Sequence, residues 1–242
     1  FVIYKKKLIS PFELKQIFQL SAENLAFIEE SRTEIMQILN GVDPRILLIV
    51  GPCSIYNKEA SIEYAQKLKA LSEEVSSLFF IVMRTYFEKP RTATGWKGMI
   101  YDPHLNHSYD IESGLIEARQ LLLALSNLKL PTATEFLDPA ISLYLKDLIS
   151  WGCIGARTAE SQIHRQLASS LDLPISFKNG TSGNIDVAIN GILSAAMPHI
   201  YPGINEHGDM TLIQTEGNAN CHLTLRGSDT KTNYDPESIS LA

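Results

Sequence analysis

Six short apolar runs in this chain each lead to a residue able to do chemistry: Cys53, Arg84, Glu135, Arg157, Lys178 and Arg226. Four are cations, one is a carboxylate and one a thiol. Like charges gathered on one rim repel unless an anion sits among them. Arginine offers a planar fork that grips phosphate or carboxylate with two bonds, and lysine offers a point charge. The set suits a phosphorylated acid. The plainer alternative is that each cation pairs with a surface carboxylate. The segment after Arg84 adds Lys89, Arg91 and Lys97, with Pro90 to stiffen it and Gly95 and Gly98 to turn it. It could hold a second phosphate, or be a solvated basic loop. Cys53, within Gly51-Pro52-Cys53-Ser54, could be a metal-binding thiolate, a nucleophile or an inert buried side chain. Asn179-Gly180-Thr181-Ser182-Gly183-Asn184 could offer backbone N–H groups to an anion, or simply cap a helix. Cys153 and Cys221 read as core. The six histidines show no metal-ligand spacing, and His164 reads as a packing or surface residue.

These residues need elements to position them. Apolar runs occur at 45–50, 79–83, 131–135, 153–157, 174–178 and 221–226. Amphipathic stretches at 58–76, 110–129, 139–150 and 160–170 separate the first five, and a further helix at 184–196 is stopped by Pro198. Within 110–129, the stripe Ile111, Leu115, Ala118, Leu122, Leu125 follows one helical face. Strand and helix in alternation imply βα units and a parallel sheet. Their number and short connections favour a TIM-type barrel over a doubly wound sheet, and no Gly-x-Gly-x-x-Gly follows the first strand.

Residues 12–40 read as one helix, with Leu25, Ile28, Ile35 and Leu39 on its apolar side and Gly41 as its stop. Residues 199–220 read as an inserted β-hairpin turning at Gly203 and Gly208. The expected division is an N-terminal extension over 1–44 and a barrel domain over 45–242. Six strands are legible, and the last two of a closed eight are unaccounted for by Ala242.

With 45% apolar and 20% charged residues, the composition is that of an ordinary globular domain. The formal charge of −6 disfavours nucleic acid or an anionic membrane surface as partner. No apolar run approaches the roughly 20 residues that span a bilayer, and no signal peptide is visible. Three widely spaced cysteines make a disulfide framework unlikely and fit a reducing cytoplasm.

Several motifs, in order, resemble the type I 3-deoxy-7-phosphoheptulonate (DAHP) synthase family. They are Gly51-Pro52-Cys53-Ser54-Ile55, Met83-Arg84-Thr85-Tyr86-Phe87-Glu88-Lys89-Pro90-Arg91-Thr92 and Gly95-Trp96-Lys97-Gly98. Pro131-Thr132-Ala133-Thr134-Glu135-Phe136-Leu137-Asp138-Pro139 and Trp151-Gly152-Cys153-Ile154-Gly155-Ala156-Arg157-Thr158 continue the likeness. Phe177-Lys178-Asn179-Gly180-Thr181 and Cys221-His222-Leu223-Thr224-Leu225-Arg226-Gly227 complete it. The resemblance implies a (β/α)8 barrel with an N-terminal helical extension and an inserted β-hairpin, of which this chain carries six strands. It implies condensation of phosphoenolpyruvate with erythrose 4-phosphate at the head of the shikimate pathway to chorismate and the aromatic amino acids.

In that reading Arg84, Lys89, Ala156, Arg157, Lys178 and Arg226 hold phosphoenolpyruvate, with Glu135 nearby. Arg91 and Thr92 hold the second phosphate. Lys89 is the candidate proton donor. Cys53 is one of four ligands to a divalent metal such as Mn²⁺ or Fe²⁺, which polarises the aldehyde. The other three ligands belong to the two unaccounted strands, so segment 1–242 by itself is expected to be inactive. The resemblance also implies a homo-oligomer, dimer or tetramer, with the extension over 1–40 in the subunit contact. Two other readings are a Schiff-base aldolase using Lys178 and a truncated, inactive or regulatory remnant.

Overall fold

The computed structural model describes residues 1–241. Two helices come first, α1 (Pro11–Ile17) and α2 (Ala22–Leu39). Strands and helices then alternate: β1 (Ile46–Val50), α3 (Lys58–Glu74), β2 (Phe79–Arg84), α4 (Ile111–Asn127), β3 (Thr132–Glu135), α5 (Pro139–Leu145), β4 (Trp151–Ile154), α6 (Gln162–Ser169), β5 (Ile175–Lys178) and α7 (Asp186–Ala195). The hairpin β6 (Ile200–Ile204) and β7 (Met210–Gln214) interrupts the alternation before β8 (Cys221–Thr224) and α8 (Pro236–Leu241). The strands form one six-stranded parallel sheet in the order β1-β2-β3-β4-β5-β8, and the hairpin is a separate antiparallel pair.

The register decides which side chains share a face. Leu47 lies beside Phe80, Ile49 beside Val82, and Arg84 beside Ala133. Glu135, Cys153, Ser176 and His222 then follow one another across β3, β4, β5 and β8. Successive strand residues point to opposite faces, so Glu135, Cys153 and Lys178 share the face of Ile49 and Val82. On that face Val82, Tyr86, Ala133, Trp151 and Cys153 pack together with Leu47, Ile49 and Phe80. On the opposite face Ile81, Met83, Ile154, Ile175 and Phe177 pack in one core with helix residues such as Leu68, Leu115, Leu122 and Ala188. Residues at the ends of β2, β3, β4, β5 and β8 line one common cavity. A flat sheet would spread those ends apart, so the sheet is curled.

The span expected as a single helix over 12–40 is two helices. The chain breaks at 18–21, where Ser21 caps α2 by accepting from the Asn24 N–H at 3.2 Å. Leu25 and Leu39 are exposed rather than part of an apolar stripe, and the buried positions of α2 are Asn24, Ile28, Ser31 and Ile35. Ile35 enters the inner-face cluster with Trp151 and Val82. Arg32 donates to Ile149 O at 3.0 and 2.9 Å and to Lys146 O at 2.8 Å. Both carbonyls lie just before β4, so α2 covers the N-terminal ends of the strands. The extension is therefore part of the sheet's own packing from residue 22 onward.

Other expectations shift by a few residues. β4 begins at Trp151 and ends at Ile154, which leaves Gly155-Ala156-Arg157 as loop. The stretch 139–150 holds a short helix and a 3-10 turn over Lys146–Leu148. Gly203 lies inside β6, where a Cβ would meet Ile213 Cδ1 at 2.3 Å, so it serves packing. Only Gly208 serves the turn, at φ +86°.

Arg119 of α4 is buried to 1% exposure. It donates to Phe18 O at 2.9 Å, to Tyr144 O at 2.9 Å and to both Asp147 oxygens at 3.0 and 2.8 Å. One side chain thus ties the α1–α2 connection to α4, α5 and the 3-10 turn. Arg119→Ala takes this donor from the Phe18 and Tyr144 carbonyls, while the half-buried Asp147 keeps Lys15 at 3.8 Å. A hydrogen bond from a charged donor is worth about 1.5–3 kcal/mol, so the urea midpoint of the variant falls. An unchanged midpoint would remove this role.

Candidate anion-binding site

Strand ends and the loops beyond them build one cavity of about 320 Å³. Arg84, Lys89, Arg91, Arg157, Lys178 and Arg226 line it, with Glu88, Glu135 and Asp229 as its carboxyls. Ala156, Tyr86, Thr158 and Thr181 complete the wall. Eight of the ten residues expected from sequence meet here. Cys53 joins them through its neighbours, since Lys89 Nζ lies 3.2 Å from its sulfur and 3.2 Å from its carbonyl. Arg84 Nη2 donates to the same carbonyl at 3.2 Å. Thr92 is exposed and does not line the cavity, although Arg91 before it does.

Two glycines of the motifs are there for close approach. A Cβ at Gly155 would meet Glu135 Oε1 at 2.6 Å, so its absence lets the carboxylate reach the rim of β4. A Cβ at Gly51 would meet Arg84 O at 2.7 Å, so its absence lets the β1 loop lie against β2.

Charge is unevenly paired. Lys178 Nζ donates to Glu135 Oε2 at 2.7 Å. Among the described residues the other five cavity cations form no ion pair with a carboxylate. Arg84 Nε is buried and has no hydrogen-bond partner. A buried donor left unmade is costly, and such exceptions call for an explanation. The pairing of each cation with a surface carboxylate, the plainer alternative, does not hold for these five. Burial works against the Lys178 ammonium, but the Cys153 and Glu135 side chains more than offset it and its pKa lies above the ordinary lysine value. The Cys53 thiol is lowered, first by its hydrogen bond from Lys89 and then by the Lys89, Arg84 and Arg91 charges. Cys53 is exposed, not inert core. Its companions are cations, and no group of three or more His, Cys, Asp or Glu capable of holding a metal occurs among the described residues.

The loop carrying Lys89 and Arg91 is held from both sides. Lys89 N donates to Lys97 O at 2.9 Å and Arg91 Nε to Trp96 O at 2.7 Å, which is the structural use of Gly95-Trp96-Lys97-Gly98. Lys97 itself faces the Tyr101 ring at 6.0 Å and is not in the cavity wall. Glu88, 5% exposed, accepts from the Leu137 N–H at 3.4 Å and the Asp138 N–H at 3.2 Å, bridging to the β3–α5 loop. On the other wall Asn179, fully buried, accepts from the Arg226 N–H at 2.8 Å and donates to Gly227 O at 3.0 Å. The segment after β5 spends its N–H groups on itself, Gly180 N to Asn184 O and Gly183 N to Gly180 O. Only Thr181 of it reaches the cavity. His164 bonds Leu137 O at 2.7 Å and so packs the same β3–α5 loop. Glu88, Asn179 and Tyr86 were not legible as site residues, because an uncharged or buried side chain inside a motif carries no charge pattern of its own.

The profile of the DAHP synthetase I family matches residues 18–242. A Tyr-sensitive phospho-2-dehydro-3-deoxyheptonate aldolase of Escherichia coli (strain K12) is 52% identical over 96% of this chain. A phospho-2-dehydro-3-deoxyheptonate aldolase of Corynebacterium glutamicum is 45% identical over 98% of it. In each case the chain spans 65% of the relative's length. The solved phospho-2-dehydro-3-deoxyheptonate aldolase of Francisella tularensis SCHU S4 superposes with a TM-score of 0.96 at 45% identity, over 99% of this chain and 70% of that one. A Thermotoga maritima structure at 20% identity and a TM-score of 0.55 shares the fold.

Burial, then the nearby Asp138 charge, pushes the Glu88 carboxyl from an ordinary 4.5 up to about 8. The folded protein holds a proton there that the unfolded chain releases near 4.5. Stability therefore falls as pH rises from about 4.5 to about 8. Glu88→Gln removes that slope. Its melting temperature relative to the parent is expected to rise steadily from about pH 5 to about pH 9. A pH-independent difference would show that Glu88 does not titrate in this window.

Proposed function

The chain belongs to the DAHP synthetase I family, and on that premise we propose that it provides the substrate-holding rim of a 3-deoxy-7-phosphoheptulonate synthase. The reaction condenses phosphoenolpyruvate with erythrose 4-phosphate and releases phosphate. The observation that carries this reading is the set of five unpaired cations around one cavity, with the buried Arg84 N–H among them. A ligand with a phosphate and a carboxylate uses such donors with two-pronged bonds from the arginines. The barrel this rim belongs to is a (β/α)8 barrel, with residues 1–44 as its extension and 45–242 as the domain that carries the site.

Arg84, Lys89, Arg157, Lys178 and Arg226 grip phosphoenolpyruvate, with Ala156 in the wall beside them. Glu135 holds Lys178 in place and moderates the positive field. Arg91, anchored on Trp96, faces the erythrose 4-phosphate phosphate. Holding two anions in one cationic cavity removes their mutual repulsion and brings C3 of phosphoenolpyruvate against the aldehyde carbon. A carbon–carbon bond forms there, and Lys89 gives its proton to the aldehyde oxygen as it becomes a hydroxyl. Water adds at C2, and phosphate leaves with cleavage of its C–O bond.

The family resemblance brings a divalent metal with it. Cys53, with its thiol already lowered by Lys89, is suited to be one ligand. One thiolate is not a metal site, and the described residues form no group of three or more His, Cys, Asp or Glu around it. A Schiff-base role for Lys178 would need a neutral amine, which the 2.7 Å bond to Glu135 opposes. The three free cysteines suit a reducing cytoplasm.

Arg157→Ala and Lys178→Ala in the intact enzyme are expected to raise KM for phosphoenolpyruvate and lower turnover. Each loses a charge-assisted contact of about 1.5–3 kcal/mol, roughly ten- to a hundredfold. Arg91→Ala is expected to raise KM for erythrose 4-phosphate instead. Steady-state kinetics with each substrate varied separate the two, and equal effects on both would overturn the division of the cavity. The protein also acts as a homo-oligomer in this reading. Phe1, Val2, Ile3 and Tyr4 are strongly exposed apolar residues ahead of α1, and removing residues 1–9 is expected to lower the mass seen by light scattering. An unchanged mass would place the contact elsewhere.

A further inference from the structure

Tyr86 is 4% exposed, lines the cavity, and carries no charge. Its ring nonetheless faces two of the cavity's cations. Arg84 Cζ lies 3.8 Å from the ring centroid and Lys178 Nζ lies 5.4 Å from it. Its hydroxyl lies 3.0 Å from Cys153 Sγ, and that sulfur lies 3.9 Å from Glu135 Oε2, the oxygen that holds Lys178. With the thiol hydrogen directed to Glu135, the Tyr86 hydroxyl donates to the sulfur. The backbone is pinned as well, since Tyr86 O accepts from the Ile55 N–H at 2.9 Å and the Ser54 hydroxyl at 3.2 Å. The ring is thus held between the loop after β1 and Cys153 of β4.

A second carboxylate in this place would also stabilise the cations, but it would occupy their N–H groups and repel an incoming anion. An aromatic face attracts a cation through its quadrupole and takes no hydrogen bond from it. Arg84 shows the consequence, with its guanidinium against the ring and its buried Nε–H still free. We propose that Tyr86 is a positioning residue of this site, an aromatic platform that holds Arg84 and Lys178 side by side while leaving their donors to the ligand. Cys153 is its tether, linking the platform to the Glu135–Lys178 pair. The inference rests on the assignment of phosphoenolpyruvate to these cations, and it concerns what keeps them together.

The test is phosphoenolpyruvate binding by calorimetry to the intact enzyme, with kinetics alongside. Tyr86→Leu is expected to weaken binding roughly tenfold, the size of a desolvated cation–π contact. KM for phosphoenolpyruvate rises with it, while kcat and KM for erythrose 4-phosphate stay within about threefold. Tyr86→Phe keeps the ring and is expected to restore most of the affinity. Because Tyr86→Leu opens a gap in the core, a second series incorporates phenylalanines of increasing fluorination at position 86. These keep the shape and drain the ring's negative face, so affinity is expected to fall step by step with fluorination. Affinity independent of fluorination, or equal in the Leu and Phe variants, would overturn the platform. Arg84→Ala is the control. If it leaves phosphoenolpyruvate binding unchanged, the substrate assignment fails. If it weakens binding while the fluorinated series is flat, only the platform fails.

Discussion

The repulsion among six cations in a cavity of about 320 Å³ is the constraint that the surrounding structure answers. One ion pair, Lys178 with Glu135, relieves it directly. More carboxylates would relieve it further, but each would consume donors that an anionic ligand needs. The fold instead spreads its support over neutral groups: a tyrosine ring under Arg84, carbonyls of Cys53 and Trp96 for Arg84, Lys89 and Arg91, and a buried asparagine behind Arg226. The molecule can be acidic, at −6 overall, because these six cations are gathered at one end of the strands. At long range the net charge repels an anionic ligand, salt screens that repulsion, and the local field of the cleft does the steering.

Confinement depends on the parallel sheet. Parallel pairing sends the C-terminal ends of all six strands in one direction, and the register sets Glu135, Cys153 and Ser176 in one row with Arg84 and Lys178 on the same face. Below them the inner face is apolar at Val82, Ala133 and Trp151 and is sealed by Ile35 of α2. His222 reinforces this dryness. Burial lowers its pKa to about 4, so it stays neutral and accepts from the Trp151 indole N–H at 3.0 Å. A low-dielectric floor strengthens every electrostatic interaction above it. It also makes the Lys178–Glu135 pair and the Cys153 thiol, pushed up to about 11, sensitive to each other.

Much of this arrangement was legible in the residues themselves. Short apolar runs and the amphipathic stretches between them separated strands from helices, and the charged residue at the end of all but the first run marked the rim. That is why Arg84, Glu135, Arg157, Lys178 and Arg226 were found together. Errors arose where tertiary contacts override local pattern. Leu25 and Leu39 fit a helical stripe but face outward, because the partners of α2 lie below the strands and select Ile28, Ser31 and Ile35 instead. β4 starts before the apolar run at 153–157 because pairing with β3 and β5 recruits Trp151 and Gly152. Thr92 sits beside Arg91 in sequence yet outside the cavity wall. Adjacency along a loop says nothing about which way a side chain turns once Pro90 and Trp96 have fixed the backbone.

The residues that escaped detection share one property: they act on charges without carrying one at neutral pH. Tyr86 supports cations through its ring, Asn179 orients Arg226 through its amide, and Glu88 holds two loops together as a carboxyl whose pKa burial raises to about 8. A search for charge clusters passes over such groups, since their contribution appears only once distance and burial are known. Their sequence trace is indirect. Each lies one or two residues from a cation, as Tyr86 does from Arg84, Glu88 from Lys89 and Asn179 from Lys178. Along a strand and its exit loop, that spacing puts the ligand-facing charge and its neutral support on neighbouring parts of one backbone. A local segment then fixes the geometry of both, so that only the long-range pairing of segments remains for the sheet to decide.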